Sequence, residues 1–287
     1  MRKNILLFTI LYFCAACSSD EENGGNGDGG NNNGNSDFTI TLENSDFDGE
    51  AVIMYTDNST ATATFENGEL GLISSSAGNK TIKSLTIGDY EPILIGRLEG
   101  EDISLNYNDG ILDFRTAQGG PIPVGTFAEF QLIRKNNTSL GGSYAMESNL
   151  DLMEIEWIPI GNSSTGGSFR GTFDGNNFEI KNLKSSSEGL FGTASAESNT
   201  TFTEIKNLVI RSGIIQGCTI ASIADIVSNC SNYATVTLGS LNQGSLVGII
   251  VKRIENCTNF GNINCNYNSD SVGGIVGGVS NRKGELL

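Results

Sequence analysis

The chain has 287 residues, a formal net charge of -16 and no histidine. That charge repels nucleic acid, and no cluster of Lys and Arg offsets it, so we expect no nucleic-acid partner. Without histidine, Ser-His-Asp and Cys-His catalysis and HExxH zinc peptidase chemistry are excluded. Carboxylates, Lys, Tyr or a carboxylate-bound metal remain for any enzyme.

The N-terminus has the pattern of an export signal. Arg2 and Lys3 precede an apolar run over residues 5–13, which is too short to span a bilayer. The run ends in Cys14-Ala15-Ala16-Cys17, and this ending resembles the lipobox of bacterial lipoproteins, with Cys14 in place of the usual Leu. The resemblance implies a signal peptide over residues 1–17 and a lipidated cysteine, Cys17, that carries an acyl chain such as palmitate. An ordinary secretory signal cut near Ala16 is the alternative.

Residues 18–37 form a predicted disordered linker that is acidic and rich in Gly and Asn. It has no aliphatic residue over 18–36 and cannot offset the entropy of ordering. In the lipoproteins that the lipobox resembles, a Ser directly after the cysteine and an acidic cluster behind it favour the outer membrane and the cell surface. Ser18 and residues 20–22 fit that pattern. We therefore expect a lipid anchor in the outer membrane and an outward-facing protein.

Residues 38–135 predict a β-sandwich-like domain. Short runs that alternate apolar and polar residues recur there, with turn signals such as Asn67-Gly68 and Asp109-Gly110 between them. The predicted strands cover residues 38–42, 51–55, 60–65, 82–87, 93–98, 103–107, 111–114 and 128–133. Strands of this length and spacing predict an antiparallel sandwich or half-barrel.

Residues 136–287 contain repeats. Residues 178–183 match residues 203–208, and residues 226–233 match residues 254–260. Asparagines at matching places, Asn182, Asn207, Asn229 and Asn256, recur at intervals of 22 to 27 residues. Such a period predicts a β-solenoid, in which each coil buries its apolar face against the next. We expect Ile and Val inside, Gly at the corners and paired Asn amides at a turn.

Part of this region resembles the GLUG-repeat family of bacterial surface proteins. Residues 144–152 and 157–161 look like that family's first strand, residues 169–176 are close to its F-x-G-x-F-D-G-N segment, and Gly-Leu-Phe-Gly follows at 189–192. The resemblance covers roughly half of the chain. It implies a GLUG-type β-solenoid displayed on a cell surface, for adhesion or ligand capture, and it implies no catalytic residue.

Tyr233, Phe260 and Tyr267 are the candidate ligand-binding residues, because they follow Asn-Cys corners or lie near one, where loops can project. A glycan or a host-surface protein is the expected ligand. The only tryptophan, Trp157, lies among isoleucines and predicts a core position. The same is expected of four phenylalanines, which are Phe169, Phe173, Phe178 and Phe191.

A glycan-processing β-helix enzyme is an alternative function. Its candidate groups are Asp151, Glu154, Glu156, Asp174 and Arg170. Asp174 lies in a turn signature and Glu154 and Glu156 alternate on an expected exposed strand, so structural roles are predicted for them. Residues 46–50 contain three carboxylates beside a glycine, as a calcium loop does, but they lack its third ligand and its distal glutamate. We therefore predict no catalytic residue, no cofactor and no metal site.

Four cysteines remain beyond the signal, and two of them, Cys230 and Cys257, occupy equivalent repeat positions. Either a disulfide or a ladder of buried thiols is compatible with this placement. No CxxC spacing indicates zinc. Residues 280–287 lack the pattern of a capping repeat, so we expect either end-to-end self-association through an uncapped coil or a shortened form of a longer adhesin.

The sequence thus predicts a surface lipoprotein that acts as an adhesin-like or ligand-binding module without catalysis. A structural stalk or surface-assembly component is the further alternative.

Overall fold

The computed structural model describes residues 38–73, 80–162, 167–196, 198, 200–240, 242–266 and 272–280. These residues are mostly β-structure. The predicted signal peptide with Cys17, the predicted linker and Tyr267 lie outside the described residues.

Eight strands of the first half form one curled sheet, a half-barrel. They are β1 Phe38–Glu43, β2 Gly49–Tyr55, β3 Thr60–Glu66, β4 Glu69–Ile73, β5 Thr81–Ile87, β6 Ile93–Leu98, β7 Ile103–Asn108 and β8 Ile111–Asp113. Their order across the sheet is β6-β5-β2-β3-β4-β1-β7-β8. Alternate side chains face the core: in β1, Phe38, Ile40 and Leu42 are buried. Of the two architectures that the sequence predicts here, the structure has the half-barrel.

One strand pair of the half-barrel departs from the antiparallel prediction. β1 pairs with β7 in parallel, whereas β1 and β4, and β7 and β8, are antiparallel. Asn67-Gly68 and Asp109-Gly110 have positive φ and close the β3-β4 and β7-β8 hairpins as predicted. Alternation shows which face a residue occupies but not the direction of its neighbour, so the sequence could not reveal the parallel pair.

The strand predicted over residues 128–133 is wrong, because Phe127–Leu132 is a helix, α1. The Thr126 hydroxyl accepts a hydrogen bond from Glu129 N, and the Glu129 carboxylate accepts one from Thr126 N. This reciprocal pair is a capping box, which satisfies two backbone N–H groups at the start of a helix. The local capping residues therefore decide the structure against the apparent alternation.

α1 joins the two halves of the protein. Phe127 and Phe130 enter the core of the second half, whereas Ala128 packs against the core of the half-barrel. α1 also contacts β6 and β8, the two outermost strands of the half-barrel. The half-barrel and the second half belong to one compact unit.

The second half consists of parallel strands stacked in sheets, consistent with a β-solenoid. The first parallel sheet contains β9 Ile122–Val124, β10 Ser143–Met146, β12 Thr172–Asp174, β15 Phe191–Ala194, β16 Glu204–Lys206, β19 Ala221–Ser228, β23 Val247–Glu255 and β27 Val276–Val279. The second contains β11 Leu150–Asp151, β13 Glu179–Lys181, β17 Val209–Ile210, β20 Ser231–Asn232 and β24 Thr258–Asn259. The third contains β14 Leu183–Ser185, β18 Gly213–Gln216, β21 Thr235–Leu238 and β25 Ile263–Cys265. A short pair, β22 Gln243–Gly244 and β26 Val272–Gly273, and a 3₁₀ turn at Ser139–Gly141 complete the elements.

One of the two predicted repeats marks equivalent coil positions. Residues 226–233 and 254–260 lie side by side in successive coils, with Val227 opposite Ile254 and Asn232 opposite Asn259. We name these two coils by their strands in the second sheet, the β20 coil and the β24 coil. The prediction for this pair is confirmed.

The other predicted repeat does not mark equivalent positions. Residues 179–181 form β13 in the second sheet, whereas residues 204–206 form β16 in the first sheet. Both segments end at an asparagine with positive φ, 55° at Asn182 and 52° at Asn207. The shared sequence therefore encodes a strand followed by a corner, and one coil has several corners.

Asparagine amides form a ladder along one corner of the solenoid. Asn229 Nδ2 donates to Asn207 Oδ1 at 3.2 Å, and Asn256 Nδ2 donates to Asn229 Oδ1 at 3.2 Å. Asn207 Nδ2 in turn donates to Asp174 Oδ1 at 2.9 Å. These three asparagines have φ values of 52°, 53° and 52°, a left-handed conformation that Asn tolerates better than most residues. The predicted pairing of amides at a turn is confirmed for Asn207, Asn229 and Asn256, whereas Asn182 donates to Asp151 Oδ1 instead.

The ladder makes a prediction about Asn229. Asn229→Gly should lose the two amide hydrogen bonds but keep the backbone conformation, whereas Asn229→Ala should also pay about 1 kcal/mol for a left-handed residue with a Cβ. Urea unfolding of both variants, followed by circular dichroism, measures the difference. Equal unfolding midpoints for the two variants would show that the corner relaxes.

Aromatic side chains fill the core where α1 meets the solenoid. Trp157 is 3% exposed, stacks on Phe130 with ring centroids 4.8 Å apart, and donates from Nε1 to Leu190 O at 3.0 Å. Phe169, Phe173 and Phe191 are fully buried, and Phe178 is partly buried against the same cluster. The core position predicted for Trp157 is confirmed, and its indole N–H has the partner that a buried tryptophan needs.

Candidate ligand-binding site

Arg211, Tyr233 and Phe260 occupy the same corner of successive coils. Each follows directly on a strand of the second sheet, after β17, β20 and β24 respectively. The last residues of those strands, Ile210, Asn232 and Asn259, are paired across the sheet. We name this set of three residues the aromatic column. It brings together two of the three residues predicted from the sequence, Tyr233 and Phe260.

The rings of the aromatic column are stacked. Tyr233 and Phe260 have ring centroids 4.8 Å apart and an angle of 17° between their planes. The distance matches the spacing of neighbouring β-strands, so the coil repeat sets the ring spacing. The guanidinium carbon of Arg211 lies 4.5 Å from the centre of the Tyr233 ring, in a cation–π contact. The stack therefore starts at a positive charge and ends at Phe260.

Glu179 holds Arg211 in position from the preceding coil. Arg211 Nε donates to Glu179 Oε1 at 2.8 Å, and the second nitrogen Nη2 bonds the same oxygen. These hydrogen bonds hold the pKa of Glu179 below its ordinary value. A planar guanidinium fixed in this way can lie flat on the Tyr233 ring.

The buried side chain of Asn232 turns the Tyr233 ring outward. Asn232 Oδ1 accepts from Ala234 N at 3.1 Å, and Asn232 Nδ2 donates to Ala234 O at 3.0 Å and to Asn259 Oδ1 at 2.7 Å. An Asn that bonds the backbone two residues on makes a tight corner. With Asn232 pointing inward, the residue that follows it points to solvent, and Tyr233 is 40% exposed.

The rings of Tyr233 and Phe260 differ in how much of their surface is open to a ligand. Arg211 covers one face of Tyr233 and Phe260 covers the other, so only the edge of Tyr233 is free for a ligand. Phe260 is 62% exposed, and no aromatic ring or cation of the described residues covers its other face. That face suits a ligand with a flat apolar surface.

Sequence reasoning missed Arg211. The signal is its position directly after Val209-Ile210, which pair with Ser231-Asn232 just before Tyr233. The sequence alone does not show that β17 lies in the coil before β20, so it does not align Arg211 with Tyr233. The repeat at residues 178–183 and 203–208 would instead align β13 with β16, which lie in different sheets.

A polar cleft lies where strands β18 and β21 of the third sheet end. It has a volume of about 330 Å³ and is lined by hydroxyl and amide side chains, among them Gln216, Thr237, Gln243 and Asn266, without a charged residue. Gln216 and Thr237 are neighbours in the sheet. Such groups both donate and accept hydrogen bonds, as a hydroxyl-rich ligand requires. No sequence pattern indicates this cleft, because its residues come from separate coils.

The acidic candidates for catalysis have structural partners. Asp151 Oδ1 accepts from Met153 N and from Asn182 Nδ2, both at 2.8 Å. Glu156 Oε1 accepts from Ser186 N at 2.7 Å. Asp174 Oδ1 accepts from Asn176 N at 2.9 Å, the local backbone bond that its turn signature predicts.

The other two candidates for catalysis, Glu154 and Arg170, lie in a turn and in backbone hydrogen bonds respectively. Glu154 lies in a turn with φ 56°, so its predicted place on an exposed strand face is wrong. Arg170 donates to the backbone oxygens of Ser168 and Asn137, both at 2.9 Å. Across the described part of the chain, no three Cys, Asp or Glu side chains come together as a metal site.

Comparison with known proteins finds no match: no family model, no curated protein and no solved structure is significantly similar to this chain. None of the described helices has the length and apolar character needed to cross a bilayer.

Proposed function

We propose that this protein is a surface lipoprotein that captures a ligand through the aromatic column, without catalysis. The stack of Tyr233 and Phe260 carries the proposal, since the two residues are 40% and 62% exposed although their rings are large and apolar. Neighbouring aromatic rings held at the surface by a rigid scaffold are typical of binding sites. The lipobox at Cys17 supports the anchor in the outer membrane, and residues 169–176 support a GLUG-type solenoid.

A glycan is the favoured ligand. The open face of Phe260 fits the C–H face of a sugar ring, and the uncharged polar cleft beside the third sheet fits sugar hydroxyls. The net charge of -16 disfavours polyanionic glycans, so a neutral or cationic one is expected. A host-surface protein is the second ligand class to include in the test.

Retention on glycan and host-protein arrays tests the proposal. Phe260→Ala should weaken retention about tenfold, equivalent to ~1.4 kcal/mol, because the open ring face is lost. Tyr233→Ala should have a similar effect because Phe260 loses its support. Phe260→Leu keeps an apolar side chain but removes the ring. It should weaken retention as much as Phe260→Ala, because the ligand stacks on the ring face.

Tyr90→Ala is the matched control. Tyr90 is 39% exposed and packs edge-on against Tyr107, but it lies in the half-barrel. It should leave retention unchanged. Equal retention by the wild type, Phe260→Ala and Tyr233→Ala would overturn the proposal, and product formation on the array would favour the carboxylate enzyme instead.

A structural or assembly component is the second candidate, and one observation favours it. Within the described residues, β24, β25 and β27 have a hydrogen-bonded neighbour on one side only. Such strand edges can pair with another chain. Sedimentation equilibrium of the full chain tests end-to-end association: a monomer at all concentrations would reject it.

A further inference from the structure

Cys230 and Cys257 lie side by side in the β20 and β24 coils. The residues on both sides of them are paired, Ser228 with Glu255 and Ser231 with Thr258. Cα atoms of neighbouring strands are about 4.8 Å apart, within the roughly 4.4–6.8 Å that a disulfide can span. Both cysteines are free thiols in the structure.

The two thiols have unequal environments. Cys230 is buried, and its Sγ donates to Ser228 O at 3.1 Å. Cys257 is partly exposed, and its Sγ donates to Glu255 O at 3.2 Å. When Cys257 is ionised, the neighbouring Cys230 thiol can donate to it instead of to Ser228 O, and this contact lowers the pKa of Cys257 to about 7 and raises that of Cys230. A partly exposed thiol that ionises near neutral pH thus lies beside a buried thiol, an arrangement that favours thiol–disulfide exchange.

We propose that Cys257 and Cys230 form a reactive dithiol site whose substrates are low-molecular-weight disulfides. The Cys257 thiolate attacks the disulfide RSSR, forms a mixed disulfide and releases one thiolate, RS⁻. Cys230 then passes its proton to solvent and attacks Sγ of Cys257, which releases the second RS⁻. The two protein thiols lose two electrons in total, one RSSR gains them and becomes two thiols, and the product is a disulfide between two coils.

The new bond would fasten the two coils that carry the aromatic rings. Tyr233 and Phe260 each lie three residues after one of the two cysteines. Oxidation should therefore reduce opening of the β24 coil, which has no further coil above it in the described residues. Because it concerns the thiols alone, this inference does not depend on the proposed ligand.

Two other cysteines serve as internal controls. Cys218 is buried, and its burial raises its pKa to about 12, so it should not react. Cys265 is exposed on β25 and should at most form a mixed disulfide.

The test is incubation of the reduced full-length protein with oxidised glutathione, followed by peptide mass spectrometry. We expect the peptides of Cys230 and Cys257 to be linked, with loss of two hydrogens. The rate should rise about tenfold from one pH unit below 7 to one unit above, as the thiolate fraction of Cys257 grows. Hydrogen exchange of residues 254–260 should slow on oxidation.

Single variants separate the two roles. Cys230→Ser should trap glutathione on Cys257, more slowly than in the wild type, and Cys257→Ser should leave Cys230 unmodified. The proposal is overturned if glutathione stays on Cys257 of the wild type without linkage, if Cys265 or Cys218 reacts first, or if the rate is the same on both sides of pH 7. The wild-type peptide map needs no variant and stands even where a variant fails to fold.

Discussion

Glu129→Ala is expected to destabilise the protein by about 3–5 kcal/mol, the range for breaking a buried ion pair by removing one partner. Glu129 is fully buried and accepts from Arg115 Nε at 2.7 Å. Its carboxylate also accepts from Gly125 N and Thr126 N, at 2.9 and 3.0 Å. Alanine would leave a buried guanidinium and two backbone N–H groups without these partners. Because α1 joins the half-barrel to the solenoid, we expect the urea midpoints of both halves to fall.

Glu147 provides the matched control for this prediction. It pairs with the same Arg115 at 2.5 Å, but its side chain is 38% exposed. Glu147→Ala should cost no more than about 1 kcal/mol, since solvent screens a pair of this kind. Glu129→Gln, which keeps a hydrogen-bond acceptor, should fall between the two. If Glu129→Ala and Glu147→Ala had equal effects, the buried pair would not stabilise the joint.

Gly171→Ala is expected to separate two coils and to cost at least the ~1–3 kcal/mol of an over-packed position. A Cβ on Gly171 would fall on the carbonyl oxygen of Gly142 and lie 2.8 Å from its carbon. Both are backbone atoms of the preceding coil, and Arg170 and Thr172 form ladder hydrogen bonds on either side. No side chain can rotate to make room, so the coils themselves have to move.

Gly141→Ala is the control, because a Cβ there would meet nothing within 4 Å and the residue lies in the same coil as Gly142. Its unfolding midpoint should stay within about 0.5 kcal/mol of the wild type, as for most surface substitutions. Gly175→Ala should resemble Gly171→Ala, since its Cβ would lie 2.8 Å from Leu208 Cα. Equal midpoints for Gly171→Ala and Gly141→Ala would contradict the steric argument.

The two glycines also explain part of the F-x-G-x-F-D-G-N segment. Phe169 and Phe173 fill the core, Asp174 bonds the backbone of its turn, and Gly171 and Gly175 allow neighbouring coils to touch. The sequence predicted the apolar and turn positions because each depends on nearby residues. It could not assign the glycines, because the atoms that exclude a side chain belong to other coils.

In other parts of the fold, too, features set by nearby residues could be predicted, whereas features set by contacts between distant residues could not. The strands of the half-barrel followed from alternation, which is a local signal. α1 was missed although Thr126 and Glu129 have capping-box spacing, because the residues from Ala128 to Leu132 also alternate between apolar and polar. Tyr233 and Phe260 could be chosen as exposed aromatics, but their stacking and the contact with Arg211 required the coil alignment.

Residues 179–183 and 204–208 share the sequence Glu-Ile-Lys-Asn-Leu, although they lie on different sides of the solenoid. The shared sequence therefore does not by itself determine which side of one coil stacks on which side of the next. In the structure, Asn207 and Leu208 lie against Gly175 of the preceding coil, where a side chain would collide with their backbone. The native stacking thus depends on a small residue outside the shared sequence.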